Sequence, residues 1–332
     1  AWITDGEGKP FKPDATVGPW TSFRIYAEFE LPDNVVKEGD TTTMVLPIGF
    51  RTSAPETFEI KDDDNNNVIA TGVLLKEKPG KIVLTYTKYA EENSGVKGSF
   101  YFNSTIDMYT QTQTGDIPVT ITVNGNLIPA GSVNYKPQVV DPKPLAKAGW
   151  MDGADKTVGH YDIRINQENK ALVNAKLVDT LQTQSITYMP ETLRINRGFW
   201  EKTLNGISWN FTHQTDVTEQ FKNEGRVKFE GNKLTIDIGD VPESVEYRGF
   251  QILYDTKIGY VPIPGETISN KAELTTGGGN HESSANYPIK DAGGTGGGYQ
   301  FTIKVLKTGK DNKPLAGAKF DVIRVRNKQK VG

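Results

Sequence analysis

The 332-residue chain contains no cysteine. That excludes disulfides, zinc–thiolate sites, cysteine nucleophiles and thioesters together. Histidine is nearly as scarce: His160, His213 and His281 share no metal-ligand spacing and read as surface residues. No apolar run approaches the ~18 residues a membrane span needs, so no membrane insertion is expected. Charge of one sign is lacking too. Lys and Arg number 38 against 41 Asp and Glu, and a net charge of −3 argues against nucleic acid as a partner. Helical periodicity is almost absent. No G-x-S-x-G elbow, P-loop or spaced pair of glycosidase carboxylates occurs, so the chain does not read as an enzyme and implies no cofactor or metal. No secretory leader or anchor is recognised, and the expectation is a piece of a longer secreted chain.

What the chain has is strand alternation. FRIYAEFEL puts Phe23, Ile25, Ala27, Phe29 and Leu31 on one face. IPVTITV does the same with Ile117, Val119, Ile121 and Val123, and then turns at Asn124-Gly125, a strong hairpin signal. One short helix is expected near DVTEQFKNEG, capped by Asp216. Pro137, Pro142 and Pro144 mark a stiff linker, since proline cannot donate ladder hydrogen bonds. A second break, residues 275–299, clusters glycine at both ends. The fold class is all-β, and the expected organisation is 1–140, 141–276, a Gly-rich 277–298, and a partial β block at 299–332 too short to bury a core alone.

Three polar residues fall where alternation demands apolar ones. Lys147 follows Leu145 at a spacing of two. Asp179 follows Val173, Ala175 and Leu177. Asn270 sits between Ile268, Ala272 and Leu274. Burying any of them unpaired costs several kcal/mol. Together they have a chemistry: a self-catalysed Lys–Asn isopeptide bond with the acid as proton shuttle. Burial lowers the pKa of a lysine and raises that of a carboxylic acid. A neutral Lys147 is then a nucleophile, and a protonated Asp179 polarises the Asn270 carbonyl. The bond forms once per molecule, with loss of ammonia. The competing reading has Lys147 snorkelling at a strand end and Asn270 capping a turn. Lys143 is the competing lysine.

Several motifs carry a resemblance. LAKAG, HYDIRINQENKALVNAKLVDTL, LTIDIGDV, FQILYDTKI and ISNKAEL occur in that order. Residues 145–276 thereby resemble the collagen-binding-type domain of Gram-positive matrix adhesins. Through VVKEGDTTTMVLP, FEIKDDDNNNVIA and IVLTYTKYAEENSGVKGSFYF, residues 1–140 resemble the domain that precedes it in such adhesins. Residues 299–325, with VLKTGKDNKPLAGAKFDV, look like the opening of a prealbumin-like stalk repeat. The resemblance implies two immunoglobulin-like β-sandwiches forming a monomeric, cell-wall-anchored, extracellular head. Its partner would be a host extracellular-matrix or plasma protein of collagen or fibrinogen type. It also implies a latch: a segment after the second sandwich, at Ser283, Ser284, Ala285, Asn286 and Tyr287, adding a strand to the first beside Thr85, Tyr86, Thr87, Lys88 and Tyr89. The competing reading of that segment is a plain tether.

One departure from the family pattern is Asp162, often Trp in relatives. Its alternation with His160 and Arg164 points it outward, so it is not the catalytic acid. Lys307, following Phe301, Ile303 and Val305, lacks acid and Asn partners and is expected to stay unreacted. Asp62–Asn67 reads as a polar hairpin turn rather than a calcium loop. Gly293–Gly298 reads as a flexible linker. A carbohydrate-active module would need an aromatic platform, and Trp20, Trp150, Trp200 and Trp209 read instead as core. The other functional class is a pilin or stalk module that bears load and binds nothing.

Overall fold

Period-two alternation sets both the strands and what they bury. In the computed structural model, which describes residues 1–204, 206–300, 306–321, 323 and 330, the chain divides into units 1–298 and 299–332. In chain order the first part of the larger unit holds β1 (Trp2–Asp5), β2 (Phe23–Glu30), β3 (Thr41–Val45), β4 (Phe50–Thr52), β5 (Thr57–Asp62), β6 (Val68–Leu75), β7 (Lys81–Tyr86), α1 (Lys88–Glu92), β8 (Ser94–Ile106), β9 (Gly115–Val123) and β10 (Asn126–Tyr135). The second part holds β11 (Leu145–Met151), β12 (Val158–Ile165), β13 (Leu172–Leu181), β14 (Ile186–Lys202), β15 (Trp209–Asp216), α2 (Thr218–Asn223), β16 (Val227–Glu230), β17 (Lys233–Val241), β18 (Gly249–Ile258), β19 (Thr267–Thr276) and β20 (Gly279–Pro288). A last strand, β21 (Gly293–Tyr299), follows.

The fold is all-β, built as immunoglobulin-like sandwiches. One core gathers Phe23, Ile25, Ile60, Ile82, Phe102 and Val119; the other gathers Ile163, Leu177, Ile195, Ile236, Ile252 and Leu274. The second sandwich is two five-stranded sheets, ordered β11-β12-β18-β14-β15 and β16-β17-β13-β19-β20. The expected hairpin joins β9 to β10, with Asn124 and Gly125 both in the left-handed region (φ 49 and 83) that such a turn needs. The expected helix is α2. Asp216 sits two residues before its first residue Thr218 and accepts that residue's N–H at 2.8 Å. The other helix, α1, is not legible in the sequence: Thr87 caps it directly after β7, and five residues carry no helical period.

Several local expectations need correction. Val173 is exposed rather than core-facing. A bulge with Asn174 at φ 49 breaks the alternation, so Leu172, Ala175, Leu177 and Asp179 face inward. Asp162 does lie on the outer face of β12, but Arg164 and Gln251 cover it and it is buried. Of the four tryptophans read as core, only Trp200 is buried; Trp20 and Trp150 are exposed. In the smaller unit, residues 307–315 form a tight turn closed by a Leu315 N–H to Lys307 carbonyl bond of 2.8 Å, and Lys307 is exposed. Phe301, Ile303 and Val305, whose alternation set the facing of Lys307, lie outside the described residues.

The largest correction concerns the glycines. Gly293–Gly298 is not loose chain. It lies in β21, between β8 and β5 in the middle of the first sandwich's sheet. Gly294, Thr295 and Gly296 pair in parallel with Ile60, Lys61 and Asp62. A Cβ on Gly294 would lie 2.5 Å from the Ser99 carbonyl oxygen, and one on Gly296 would lie 2.5 Å from that of Lys97. Both obstacles are backbone and cannot swing aside, so side chains are excluded here and glycine is required. Replacing Gly296 by Val should therefore expel β21. Hydrogen exchange is the check: protection at 294–298 should vanish while the β12 and β18 amides keep theirs. Unchanged protection at 294–298 would refute this close packing.

Candidate functional site

Lys147, Asp179 and Asn270 come from β11, β13 and β19, and alternation turns all three into the second core. The side chains of Lys147 and Asp179 are both fully buried, as is Asn270. The Lys147 ammonium donates to Asp179 Oδ1, and at 2.9 Å to the Tyr254 hydroxyl. Asn270 Nδ2 donates to Asp179 Oδ2 at 3.1 Å and to Tyr254 Oη at 2.8 Å. Tyr254, on β18, donates in turn to Asp179 Oδ2. Tyr188, on β14, donates to the same carboxylate at 3.1 Å. Tyr161, on β12, lays its ring under the ammonium at 4.9 Å. The structure thus brings the three sequence-singled residues into one cluster, and Lys143 is not among them.

Burial pulls the Lys147 pKa down to about 8, against the opposing attraction of Asp179. A neutral amine is therefore within reach near physiological pH. Burial also pushes the Tyr254 phenol well above its usual value, so it stays protonated. Sequence reasoning misses the tyrosines. Their signal is there: Tyr161, Tyr188 and Tyr254 each occupy an inward position of an alternating strand, where a hydroxyl needs a partner.

The latch residues are elsewhere than expected. Ser283–Tyr287 belong to β20, which pairs with β19 through the hairpin at Thr276–Gly279. Ala285 and Tyr287 are buried in the second core, with Tyr287 against Tyr161, so this segment is part of that sandwich. The expected accepting strand is also closed. Thr85 and Tyr86 end β7, which is bonded to β6 on one side and β3 on the other, and Thr87–Tyr89 turn into α1. The segment that does cross to the first sandwich is the next one, β21. Sequence reading places this swing about ten residues early because the glycines at 277–279 and at 293–298 look alike. The first set makes a tight turn and the second makes a strand.

The crossing strand is fastened at both ends. At its entry, the Asp291 carboxylate takes hydrogen bonds from Arg24 (2.9 Å) and the Tyr101 hydroxyl (2.6 Å), and Asn103 Nδ2 donates to the Asp291 carbonyl at 2.6 Å. At its exit, Gly298 N–H donates to Tyr89 Oη at 2.8 Å, and Tyr89 donates to buried Asp62. That bond holds the Asp62 carboxyl below its ordinary range. The Asp62–Asn67 segment is the expected polar turn, with Asp62 Oδ1 accepting the Asp64 and Asn65 N–H groups. Among the described residues, no group of three or more His, Asp or Glu is arranged to hold a metal ion.

Comparison with known proteins agrees with the fold. A family model described as a bacterial Ig domain matches residues 16–116. No curated protein matches at the sequence level. Among solved structures, the collagen adhesin of S. aureus superposes with a TM-score of 0.60 at 15% identity, over 90% of this chain and 95% of that one. A serine-rich repeat adhesion glycoprotein from Streptococcus agalactiae gives 0.57 at 18% identity, over 87% and 95%. The collagen binding domain of the Erysipelothrix rhusiopathiae surface protein RspB gives 0.52 at 16% identity, over 90% and 97%. At such identities the likeness is one of fold.

The exit fastening makes a direct prediction. Tyr89→Phe leaves the ring in place but removes the acceptor for Gly298 and the partner of Asp62. Exchange of the Gly296–Gly298 amides should rise at least tenfold, with the Gly293–Gly294 end, held by Asp291, affected less. Equal exchange in the variant and the parent would show that Tyr89 does not hold the strand.

Proposed function

We propose that this chain is the ligand-binding head of a bacterial cell-surface adhesin. The observation that carries the reading is β21: a strand delivered from beyond the second sandwich completes the sheet of the first. A segment that arrives from another sandwich can also leave, and its departure and return would let the two sandwiches close around an extended ligand. The fold likeness to adhesins supports this, as does the tethering of β21 at Asp291 and Tyr89. The proposed ligand is a host extracellular-matrix protein, with collagen first because two of the similar structures are named for collagen, and a fibrinogen-type plasma protein next. Cell-wall anchoring and a monomeric head belong to the same proposal. The activity is binding, with no catalytic turnover.

Within this head, Lys147 and Asn270 are proposed to form an isopeptide bond, with Asp179 as the proton shuttle. The bond would join β11 in one sheet to β19 in the other, so forces that slide the sheets apart would meet a covalent link. Intact mass spectrometry of the purified protein should then read one ammonia below the sequence mass, and Asp179→Ala should restore the full mass. A parent mass equal to the sequence mass sinks the crosslink. Lys147→Ala should cost roughly 4 kcal/mol of stability, by analogy with a long disulfide-closed loop.

The strand exchange has its own test, which the absence of native cysteine makes clean. Lys61 and Thr295 are register partners, and both are exposed. The double variant Lys61→Cys/Thr295→Cys should oxidise readily without ligand. The oxidised form should lose binding to immobilised collagen or fibrinogen, and reduction should restore it. Equal binding by the oxidised and reduced forms would refute strand exchange and favour a load-bearing module.

A further inference from the structure

Three features of the buried cluster concern an atom that the crosslinking scheme leaves unattended. Asn270 Oδ1 is buried and makes no hydrogen bond, although it is the oxygen on which negative charge must develop when an amine attacks Cγ. The Asn270 nitrogen meanwhile faces two oxygens, Tyr254 Oη at 2.8 Å and Asp179 Oδ2 at 3.1 Å. Tyr254 Oη also touches the nucleophile, accepting from Lys147 Nζ at 2.9 Å. One phenol therefore contacts the attacking group, the proton shuttle and the amide under attack.

We infer that Tyr254 is a catalytic residue of the crosslinking step, acting with Asp179 as the pair of donors that hold the oxyanion on Asn270. The inference rests on the crosslinking reading given above. With Lys147 charged and Asp179 ionised, the carboxylate has only acceptors to offer, so the Asn270 N–H groups face it and Tyr254 donates to it. Once the Lys147 proton passes to Asp179, the carboxyl becomes a donor and the phenol proton is released from its bond to the carboxylate. A half-turn of the Asn270 amide about Cβ–Cγ then exchanges its oxygen and nitrogen. Oδ1 takes the place between Tyr254 and Asp179, and both can donate to it.

The Nζ lone pair of Lys147 attacks Cγ, and the carbonyl π pair moves onto Oδ1. As Cγ becomes tetrahedral, Nδ2 swings back within reach of Asp179, which passes its proton to Nδ2 and receives one from Nζ. The Oδ1 pair re-forms the carbonyl as the Cγ–Nδ2 bond breaks, and ammonia leaves with the electron pair of the broken bond. Two N–H protons on the amine and two on the amide become one on the new amide and three on ammonia. Tyr254 keeps its proton throughout, consistent with a phenol that burial makes hard to ionise.

The test follows the full chain in pulse-labelled cell-free synthesis, with intact mass read against time. The parent should become lighter by one ammonia. Tyr254→Phe should fold, shown by circular dichroism and unchanged exchange in β12 and β14, yet convert about 100-fold more slowly, the usual cost of losing one oxyanion donor. A parent that never loses ammonia sinks the crosslink itself, and this inference with it. A parent that reacts alongside a Tyr254→Phe variant of equal rate overturns this inference alone. It is likewise overturned if Tyr161→Phe slows the reaction and Tyr254→Phe does not. A fluorinated tyrosine at position 254 keeps ring and hydroxyl while making the phenol a stronger donor, and so separates chemistry from packing. It should speed conversion; an unchanged rate would assign Tyr254 a structural role and overturn the proposal.

Discussion

The second sandwich depends on one unusual burial: an ammonium and a carboxylate, both removed from water, between two sheets. Desolvation costs several kcal/mol per ion even after relaxation, and the attraction of the pair offsets this only with good geometry and further hydrogen bonds. The fold supplies the hydrogen bonds from β14, β18 and β19, through Tyr188, Tyr254 and Asn270, while the Tyr161 ring on β12 faces the ammonium. With Lys147 on β11 and Asp179 on β13, six strands each contribute a member. A slip of one residue in any of them would turn its member out of the core and strand the others. The cluster thus fixes register across both sheets, and that same fixed register places amine, acid and amide in contact.

The first sandwich obeys a different constraint. Its sheet has a slot between β5 and β8 where the backbones of Lys97 and Ser99 leave no room for side chains. Only a strand of hydrogens on Cα can enter. Thr295 is the exception, and it lies exposed, outside the squeeze that Gly294 and Gly296 experience. Because the glycines bring no side-chain contacts, attachment rests on backbone ladder bonds and on Asp291 and Tyr89 at the two ends. Such a strand is held weakly along its length and firmly at its ends.

Much of this is legible in the residues. Alternation gives the strands and the all-β class, and its violations at Lys147, Asp179 and Asn270 mark the buried cluster without any coordinates. What fails, fails for physical reasons. The bulge at Asn174 changes phase without a glycine or proline to announce it, so alternation alone turns Val173 inward. The tyrosines of the cluster look like ordinary core aromatics, because sequence does not say where a hydroxyl points. The glycine run misleads because glycine serves two opposite ends. It loosens a chain that has no neighbours, and it alone fits where neighbours are closest. Composition cannot separate these; only the carbonyls of Lys97 and Ser99 do. Tyr287 suits a mobile latch by its place between glycine clusters, yet its alternation with Ala285 and Ile289 suits a core strand equally well.

The position of β21 also orders events in time. Residues 1–135 contain ten of the eleven strands of the first sheet, and the missing one lies not at its margin but inside it. During synthesis the N-terminal sandwich emerges first, and domains generally fold in that order. Here the first sandwich must wait, with the edges of β5 and β8 bare, until the whole second sandwich and the glycines behind it have been made. Of the two sandwiches, the one translated first is therefore the one completed last, and until then it carries two open strand edges.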